Sequence, residues 1–175
     1  SVSFNAVNAV VGVRISYLFV DNKVDEIKTR INKSMDFILF MTIGCGFGIA
    51  AVAKTFVPLF FGKGYDQVIN LLYIFAPIIT IIGISNCLGS QYYTPSGRRN
   101  ESTKYLLCGS VINLVLNLCF IKRFGAYGAA CASVLAEGFI SFLYVKNCNG
   151  FMRFLEILRL SYKKLIAGFI MFCLI

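Results

Sequence analysis

The sequence predicts an all-α fold, a polytopic bundle of transmembrane helices, and three observations support this prediction. The chain of 175 residues is 58% hydrophobic and 14% charged, and its mean hydropathy is +0.75. Such values are typical of membrane proteins. Residues 68–93 contain no Asp, Glu, Lys, Arg or His, and about 20 apolar residues suffice for a helix to cross a bilayer. Further uncharged stretches repeat along the chain, with short polar segments between them.

The chain reads as a single membrane domain, residues 1–175, with about four complete spans and a partial span at each end. The predicted spans are residues 1–20 (partial), 35–57, 68–93, 105–121, 124–145 and 160–175 (partial). The first residues are already apolar, and the apolar stretch 165–175 is too short to cross a bilayer. We therefore expect this chain to be a piece of a longer membrane protein, part of its C-terminal lobe.

Two segments between spans are amphipathic, 21–34 and 147–159. In the first, apolar residues recur at helical spacing: Val24, Ile27, Ile31 and Met35. This pattern predicts separate helices that lie in the membrane interface. Asp36 is expected at the N-terminus of the next helix and Pro58 at its end. A tight basic turn is expected at residues 122–123.

The basic residues indicate how the spans are oriented. Segments 21–34, 94–104 and 146–164 together hold twelve of the 17 Lys and Arg residues, whereas segments 54–67 and 122–123 hold four. Because cytoplasmic loops of membrane proteins are enriched in Lys and Arg, the first three segments are predicted to be cytoplasmic. Within them, Arg98 and Arg99 are interpreted as determinants of this orientation.

The composition also argues against several functions. The chain has no histidine, and none of its seven cysteines forms a C-x-x-C pair, so no metal site and no cofactor are expected. The net charge of +9 is explained by the loop residues, and no basic run with interleaved aromatics lies outside a hydrophobic context. Nucleic acid is therefore not an expected partner.

Glu137 is the first candidate for a functional residue. It lies about twelve residues into the span 124–145, where a carboxylate is costly by roughly 2–3 kcal/mol or more and normally faces a cavity or the bundle interior. It could couple transport to a proton or cation, or bind a sugar hydroxyl. The alternative is a buried ion pair or hydrogen bond that holds the bundle together.

Arg14 is the second candidate, since its guanidinium could bind a diphosphate with two hydrogen bonds near the cytoplasmic side. It lies only seven residues before Asp21, so its side chain could instead extend to the lipid headgroups, and this geometry favours that alternative.

Two sets of amides complete the candidates. Asn113 and Asn117 share one helix face, and Asn86 and Gln91 lie in the preceding span. Each set could line a polar cavity or form hydrogen bonds between helices.

Several stretches together resemble a known family. They are FVPLFFGKGYDQVINLLYIFAPIITIIGISNCLGSQYYTPSGRRNE, VRISYLF, and INLVLNLCFIKRFGAYGAACASVLAE. The chain resembles the C-terminal half of bacterial polysaccharide repeat-unit flippases, the Wzx type within the MATE-like superfamily of multidrug, oligosaccharidyl-lipid and polysaccharide exporters. The resemblance covers nearly the whole chain, although Val13 stands where the family usually has Pro.

The resemblance implies a MATE-like bundle of two pseudo-symmetric lobes around a central cavity. It also implies a function, the export of an oligosaccharide repeat unit on undecaprenyl diphosphate from the inner to the outer leaflet of the bacterial plasma membrane. The product would be O-antigen, capsule or a related polymer. The implied partners are the bilayer, this lipid-linked substrate, and the polysaccharide polymerase and export machinery.

Three other functions remain open on the sequence. A cation-coupled drug antiporter of the same superfamily would share the fold, and one Glu and one Arg in the spans do not decide between the two. A membrane enzyme such as the polymerase is disfavoured, because the outer loops are about ten residues or shorter and hold no nucleophile–base constellation. A purely structural membrane subunit gives no reason for Glu137.

Overall fold

The computed structural model describes residues 24–62 and 64–174, and all regular secondary structure within these ranges is helical. The elements in chain order are α1 (Val24–Phe61), α2 (Asp66–Leu88), a π-helical turn (Gly89–Tyr93), α3 (Arg99–Lys146) and α4 (Phe154–Leu174). The predicted all-α fold is therefore confirmed. The predicted partial span 1–20, with Arg14, lies outside the described residues.

Helix α1 is continuous over 38 residues, about 57 Å. The expected separation between an amphipathic helix at 21–34 and a span at 35–57 is not found. Three apolar side chains near its start are at most 1% exposed: Ile27, Ile31 and Met35. They belong to a buried cluster with α2 and the 147–153 turn. This apolar stripe, which the sequence predicted to face the membrane interface, is therefore buried against other parts of the protein.

Two helix boundaries that the sequence predicts within α1 are not found at the expected residues. Asp36 lies inside the helix rather than at an N-terminus, and it pairs with Lys164 of α4. Pro58 lies inside the last turn. The helix ends at Phe61, where Gly62 has φ +85° and its N–H bonds the Pro58 carbonyl at 3.1 Å. A glycine with positive φ is the usual residue just past a helix end.

Helix α3 is a hairpin of two antiparallel arms. Gly125 has φ 57° and ψ −132°, which is not helical, and the chain reverses there. The two arms contact each other at two pairs of residues, Ser102 with Tyr144 and Gly109 with Ile140. In each pair one residue precedes Gly125 and the other follows it. The reversal therefore falls just after the expected basic turn at residues 122–123. It leaves arms of 26 residues (99–124) and 21 residues (126–146).

Helix α2 lies between α1 and the second arm of α3. A Cβ placed on Gly46 of α1 would be 2.9 Å from the Ala76 carbonyl oxygen of α2, so only glycine allows this close approach. On the other side of α2, the Ser141 hydroxyl donates a 2.7 Å hydrogen bond to the Ile81 carbonyl. Helix α4 runs parallel to α1 along its outer side, with contacts between Lys28 and Glu156 and between Phe47 and Gly168.

One end of the bundle, the basic end, carries the start of α1, the turn before α3, and the turn before α4. The three basic segments of the sequence come together here. The buried cluster at this end includes Tyr92, Tyr93, Tyr144, Cys148 and Met152. The turn after α1 and the reversal at Gly125 lie at the opposite end. The expected alternation of basic and less basic loops therefore corresponds to the two ends of the bundle.

The described helices suit a bilayer in length and in surface. Three of them, α1, α2 with its π-helical turn, and α3, are long and apolar enough to cross a membrane, and α3 contributes two arms. Large apolar side chains on the first arm of α3 are 53–62% exposed: Leu107, Val111, Leu114, Val115 and Leu118. Such a surface suits lipid or further membrane helices.

The hairpin generates a prediction about Gly125. Replacing it by alanine places a Cβ at positive φ, which costs about 1–3 kcal/mol. The Gly125→Ala variant of the full-length protein should therefore unfold at a lower temperature in detergent, as measured by size-exclusion chromatography after heating. Gly138→Ala is the matched control, because Gly138 lies in the helical second arm with nothing within 4 Å of its Cβ direction. Equal melting temperatures for the two variants would contradict the proposed reversal.

Candidate functional site

Arg98 forms a polar network at the basic end of the bundle. Its guanidinium donates two hydrogen bonds to the Glu101 carboxylate, with Nε 2.7 Å from Oε1. It also donates to the Tyr92 hydroxyl at 2.8 Å and to the Asn147 carbonyl at 3.1 Å. It lies 5.4 Å from the centre of the Tyr93 ring. Arg98 therefore joins the turn before α3 to the turn before α4.

This network holds the partly buried Arg98 guanidinium in a fixed position. The hydrogen bonds to Glu101 raise the pKa of the guanidinium above its ordinary value, so Arg98 stays protonated in any physiological medium. A planar, bidentate arginine is much more constrained than a free surface lysine. From the sequence alone, Arg98 is interpreted only as a determinant of how the spans are oriented in the membrane. It is also a structural connection, whereas Arg99 beside it is exposed.

Tyrosine side chains extend the network into the bundle. Tyr93 donates a 3.0 Å hydrogen bond to the Tyr144 carbonyl, and the two rings pack edge to face at 4.9 Å. The Tyr144 hydroxyl forms a hydrogen bond with that of Ser102, and Tyr105 donates to Glu101 at 3.3 Å. These contacts link the π-helical turn after α2 with both arms of α3.

The π-helical turn places these tyrosines. The Thr94 N–H bonds the Gly89 carbonyl at 3.0 Å, five residues back, and the Thr94 hydroxyl donates to the same oxygen at 2.8 Å. The wider turn changes the register of the helix, and Gln91, Tyr92 and Tyr93 are then all at most 2% exposed. A Cβ on Gly89 would be 3.3 Å from the Tyr144 ring. Turns of this kind frequently mark functional positions in helices.

Glu137 lies on the second arm of α3, half-exposed, beside Gly138, whose Cβ direction is open. No described residue forms a hydrogen bond or an ion pair with its carboxylate. The alternative of an ion pair that holds the bundle together therefore finds no partner within residues 24–62 and 64–174. A carboxylate in this position needs water, a proton or a group from elsewhere in the full protein.

The predicted amides are placed differently from one another. Asn117 donates to the side-chain oxygen of Asn113 at 2.7 Å and to its carbonyl at 2.9 Å. Both are half-exposed, so the pair presents its remaining polar atoms on the first arm of α3. Asn86 is exposed on α2, whereas Gln91 is 0% exposed and belongs to the packed interior.

The structure therefore does not gather the predicted residues into one site. Asn113 and Asn117 are joined, but no hydrogen bond or ion pair among the described residues joins them to Glu137 or Asn86. Arg14 lies outside the described residues. In the described part of the chain, no group of three His, Cys, Asp or Glu residues could hold a metal ion. The Arg98 network was missed by sequence reasoning, and its one local signal is the spacing of Arg98 and Glu101 at i and i+3 around a helix start.

The fold places the protein in a class. A solved structure described as "Lipid II flippase MurJ, inward closed conformation" matches it with a TM-score of 0.75. The match covers 95% of this chain and 36% of that chain at 20% identity. At this identity the likeness establishes the fold. The class is a multi-pass helical membrane bundle, of which this chain forms one part.

The sequence comparison gives the family. The family model described as "Lipid II flippase MurJ" matches residues 3–175, and the chain belongs to this family. A "Putative O-antigen transporter" of Escherichia coli (strain K12) is 27% identical over 148 residues, which is 82% of this chain and 35% of that protein. The chain thus spans about a third of the length of these relatives. The resemblance to a flippase superfamily is confirmed.

The Arg98 network generates a second prediction. Arg98→Lys keeps the charge but cannot form the bidentate bond to Glu101 together with those to Tyr92 and Asn147. The variant of the full-length protein should lose about 3 °C or more in melting temperature, measured by thermal unfolding in detergent. Arg99→Lys is the matched control and should behave as wild type. Arg98→Lys with an unchanged melting temperature would show that the network contributes no stability.

Proposed function

We propose that the protein to which this chain belongs flips a lipid-linked oligosaccharide across the bacterial plasma membrane. The substrate is a repeat unit carried on undecaprenyl diphosphate, moved from the inner to the outer leaflet for a cell-surface polysaccharide such as O-antigen or capsule. The protein is a transporter rather than an enzyme. Its partners are the bilayer, the lipid-linked substrate, and the polymerase and export machinery that use the product.

One observation carries this proposal. Similarity to a protein described as an O-antigen transporter extends over 82% of this chain, within a family of lipid flippases. The family's description names a lipid II flippase, and the relative's names a putative O-antigen transporter. A soluble organic cation, the cargo of the antiporter alternative, has no counterpart in them.

Glu137 is the residue on which the proposal depends most. Since it has no pairing partner among the described residues and lies half-exposed on an arm of the hairpin, we assign it to a water-filled cavity between this lobe and the remainder of the protein. There it acts as the site of a coupling proton or cation, or accepts hydrogen bonds from sugar hydroxyls. The full protein supplies the other wall of that cavity.

The other candidate residues have different proposed roles. Asn113 and Asn117 fix each other's orientation and offer the substrate the polar atoms that their mutual hydrogen bonds leave open. Asn86 is a further contact on α2, and Gln91 supports packing instead, since it has no exposed surface. Arg14 is proposed to extend to the lipid headgroups, with the alternative that it meets the diphosphate near the cytoplasmic side.

Complementation tests the proposed function. The full-length gene should restore surface polysaccharide to a flippase-deficient strain that makes the matching polymer. Glu137→Gln should reduce this polymer by about tenfold or more at equal protein level in the membrane, because the variant cannot carry a negative charge. Surface polymer is measured by immunoblot or lectin binding.

Two controls define the outcome. Glu26→Gln removes an exposed carboxylate near the start of α1 and should leave the polymer unchanged. Glu137→Asp should retain part of the activity if charge is what matters. The flippase proposal fails if the wild-type gene restores no polymer in any of several strains but confers resistance to cationic drugs.

We further propose that the basic end of the bundle is cytoplasmic, with segments 21–34, 94–104 and 146–164 on that side. In a cysteine-free full-length background, Lys146→Cys and Tyr65→Cys place one exposed thiol at each end of the bundle. A membrane-impermeant maleimide should label position 65 in intact spheroplasts and position 146 only after permeabilisation. The reverse labelling pattern would overturn the orientation.

A further inference from the structure

Pro77 lies in the middle of α2 and divides it into a first half, 66–76, and a second half, 78–88. Proline has no backbone N–H, so Pro77 cannot donate the helical hydrogen bond to the Tyr73 carbonyl, and its ring crowds that carbonyl. Sharp bends in helices usually occur at such positions. The backbone of α2 is therefore weakest at Pro77.

The second half of α2 is firmly attached to its neighbours. It contains the four residues of α2 that are buried: Gly83, Ser85, Cys87 and Leu88. A Cβ placed on Gly83 would be 2.9 Å from the side chain of Thr42, so this half packs closely on α1. The Ile81 carbonyl accepts the 2.7 Å hydrogen bond from Ser141 on the other side. The second half is thus fixed between α1 and the second arm of α3.

The first half of α2 has weaker attachments. None of its residues is buried. Asn70 donates a long hydrogen bond of 3.4 Å to the Tyr127 hydroxyl of the second arm. The Ala76 carbonyl, directly before Pro77, contacts Gly46 of α1, and glycine has no side chain that could interlock with α2 there. The first half can therefore pivot at this contact while the second half stays in place.

An apolar cavity lies beside the first half of α2, where α2 meets α1 and α4. Its volume is about 530 Å³. All three helices contribute to its lining, which includes Ala50, Tyr73, Ala76, Pro77, Phe169 and Phe172. Because apolar cavities of proteins hold no ordered water, a helix can move into this space without displacing any.

Pro77 lies near the level of Glu137 in the bundle. Helix α2 and the second arm of α3 contact each other at two pairs of residues, Asn70 with Tyr127 and Ile81 with Ser141. The two helices therefore run side by side in the same direction. Pro77 lies between the two contacts on α2, and Glu137 lies between them on the second arm. Since α2 separates the second arm from α1, movement of its first half into the cavity leads away from the second arm.

We propose that α2 bends at Pro77 and that its first half moves into the apolar cavity, away from the second arm of α3. The movement breaks the long hydrogen bond of Asn70 and leaves the second half in place. It opens a passage between α2 and the second arm, which leads to Glu137 from the end opposite the basic end. This role of the bend rests on the proposed function of Glu137, whereas the bend itself does not.

Disulfide formation across the cavity tests the bend. The rings of Tyr73 and Phe172 line the cavity with their centres 6.4 Å apart. In a cysteine-free full-length background, Tyr73→Cys with Phe172→Cys replaces these two rings by thiols, and a disulfide requires Cβ atoms about 3.8 Å apart. The disulfide should therefore form under mild oxidation in membranes when the first half of α2 approaches α4. Its rate is measured by mass spectrometry without reduction.

Matched variants isolate the effect of the proline. Pro77→Ala restores the missing N–H donor and should slow this disulfide at least about threefold, because the bent state is populated less. Thr42→Cys with Gly83→Cys joins α1 to the second half of α2, and its disulfide should form equally fast with and without Pro77→Ala. Pro58→Ala changes the proline in the last turn of α1 and should affect neither rate.

Three results would each overturn the bend. They are the absence of the disulfide between positions 73 and 172 when Pro77 is present, an equal rate of its formation with and without Pro77→Ala, and an equal slowing of both disulfides by Pro77→Ala. The first result is also the one expected if another segment of the full-length protein fills the cavity.

Polymer export separates the bend from its role. The disulfide between positions 73 and 172 should reduce export about tenfold or more until it is reduced, because it holds α2 in one state. The disulfide between positions 42 and 83 should leave export unchanged. Normal export with the first disulfide would overturn the passage to Glu137 and leave the bend standing. Normal export by Glu137→Gln would instead contradict the proposed function of that residue.

Discussion

Helices in a bilayer gain little by burying apolar side chains against one another, because lipid is as apolar as the interface they would form. What holds this bundle together is therefore close backbone approach and hydrogen bonds between helices. Gly46 brings α1 against the Ala76 carbonyl of α2, and Gly109 accommodates Ile140 within the α3 hairpin. The Ser141 hydroxyl bonds the α2 backbone. Nearly every helix pair of the bundle depends on a small or hydroxylated residue at its contact.

At the two ends of the bundle the chain leaves its helices, and the backbone N–H and C=O groups there need other hydrogen-bond partners. At the basic end a network of side chains around Arg98 connects the turns. Arg98 binds a carboxylate, a phenol and a backbone carbonyl, and tyrosines pack around it. At the other end, Gly62 and Gly125 reverse the chain by their backbone conformation. The basic end is thus connected by side-chain hydrogen bonds, whereas the chain turns at glycines at the opposite end.

The polar side chains of the spans differ in whether they have a hydrogen-bond or ion-pair partner among the described residues. Asn113 and Asn117 are neutral amides that bind each other, so they are tolerated at membrane depth even without a ligand. Glu137 has no such partner among the described residues. A charged group in a low-dielectric setting is stable only when it is paired, hydrated or protonated. That difference is why Glu137, rather than the amides, carries the proposed transport site, and why the complementary half of the site belongs to the remainder of the protein.

The sequence by itself determined the membrane class, the all-α fold and the grouping of the basic loops, because hydropathy and charge act segment by segment and need no knowledge of contacts. It also identified Glu137 as unusual for the same reason. The tertiary structure decided whether each apolar stripe faces protein or lipid. Ile27, Ile31 and Met35 have a periodicity that fits both, and only the packing of α1 against Tyr92 and Met152 distinguishes them.

The tertiary structure also decided the roles of Arg98 and Gln91. Arg98 looks like any loop arginine until the 147–153 turn is placed beside it, 49 residues further along the chain. Gln91 has the sequence context of a cavity residue, but the π-helical turn moves it into the interior. Asp36 and Lys164 are 128 residues apart. Contacts over such separations follow from how the helices pack, and no local pattern in the sequence specifies them.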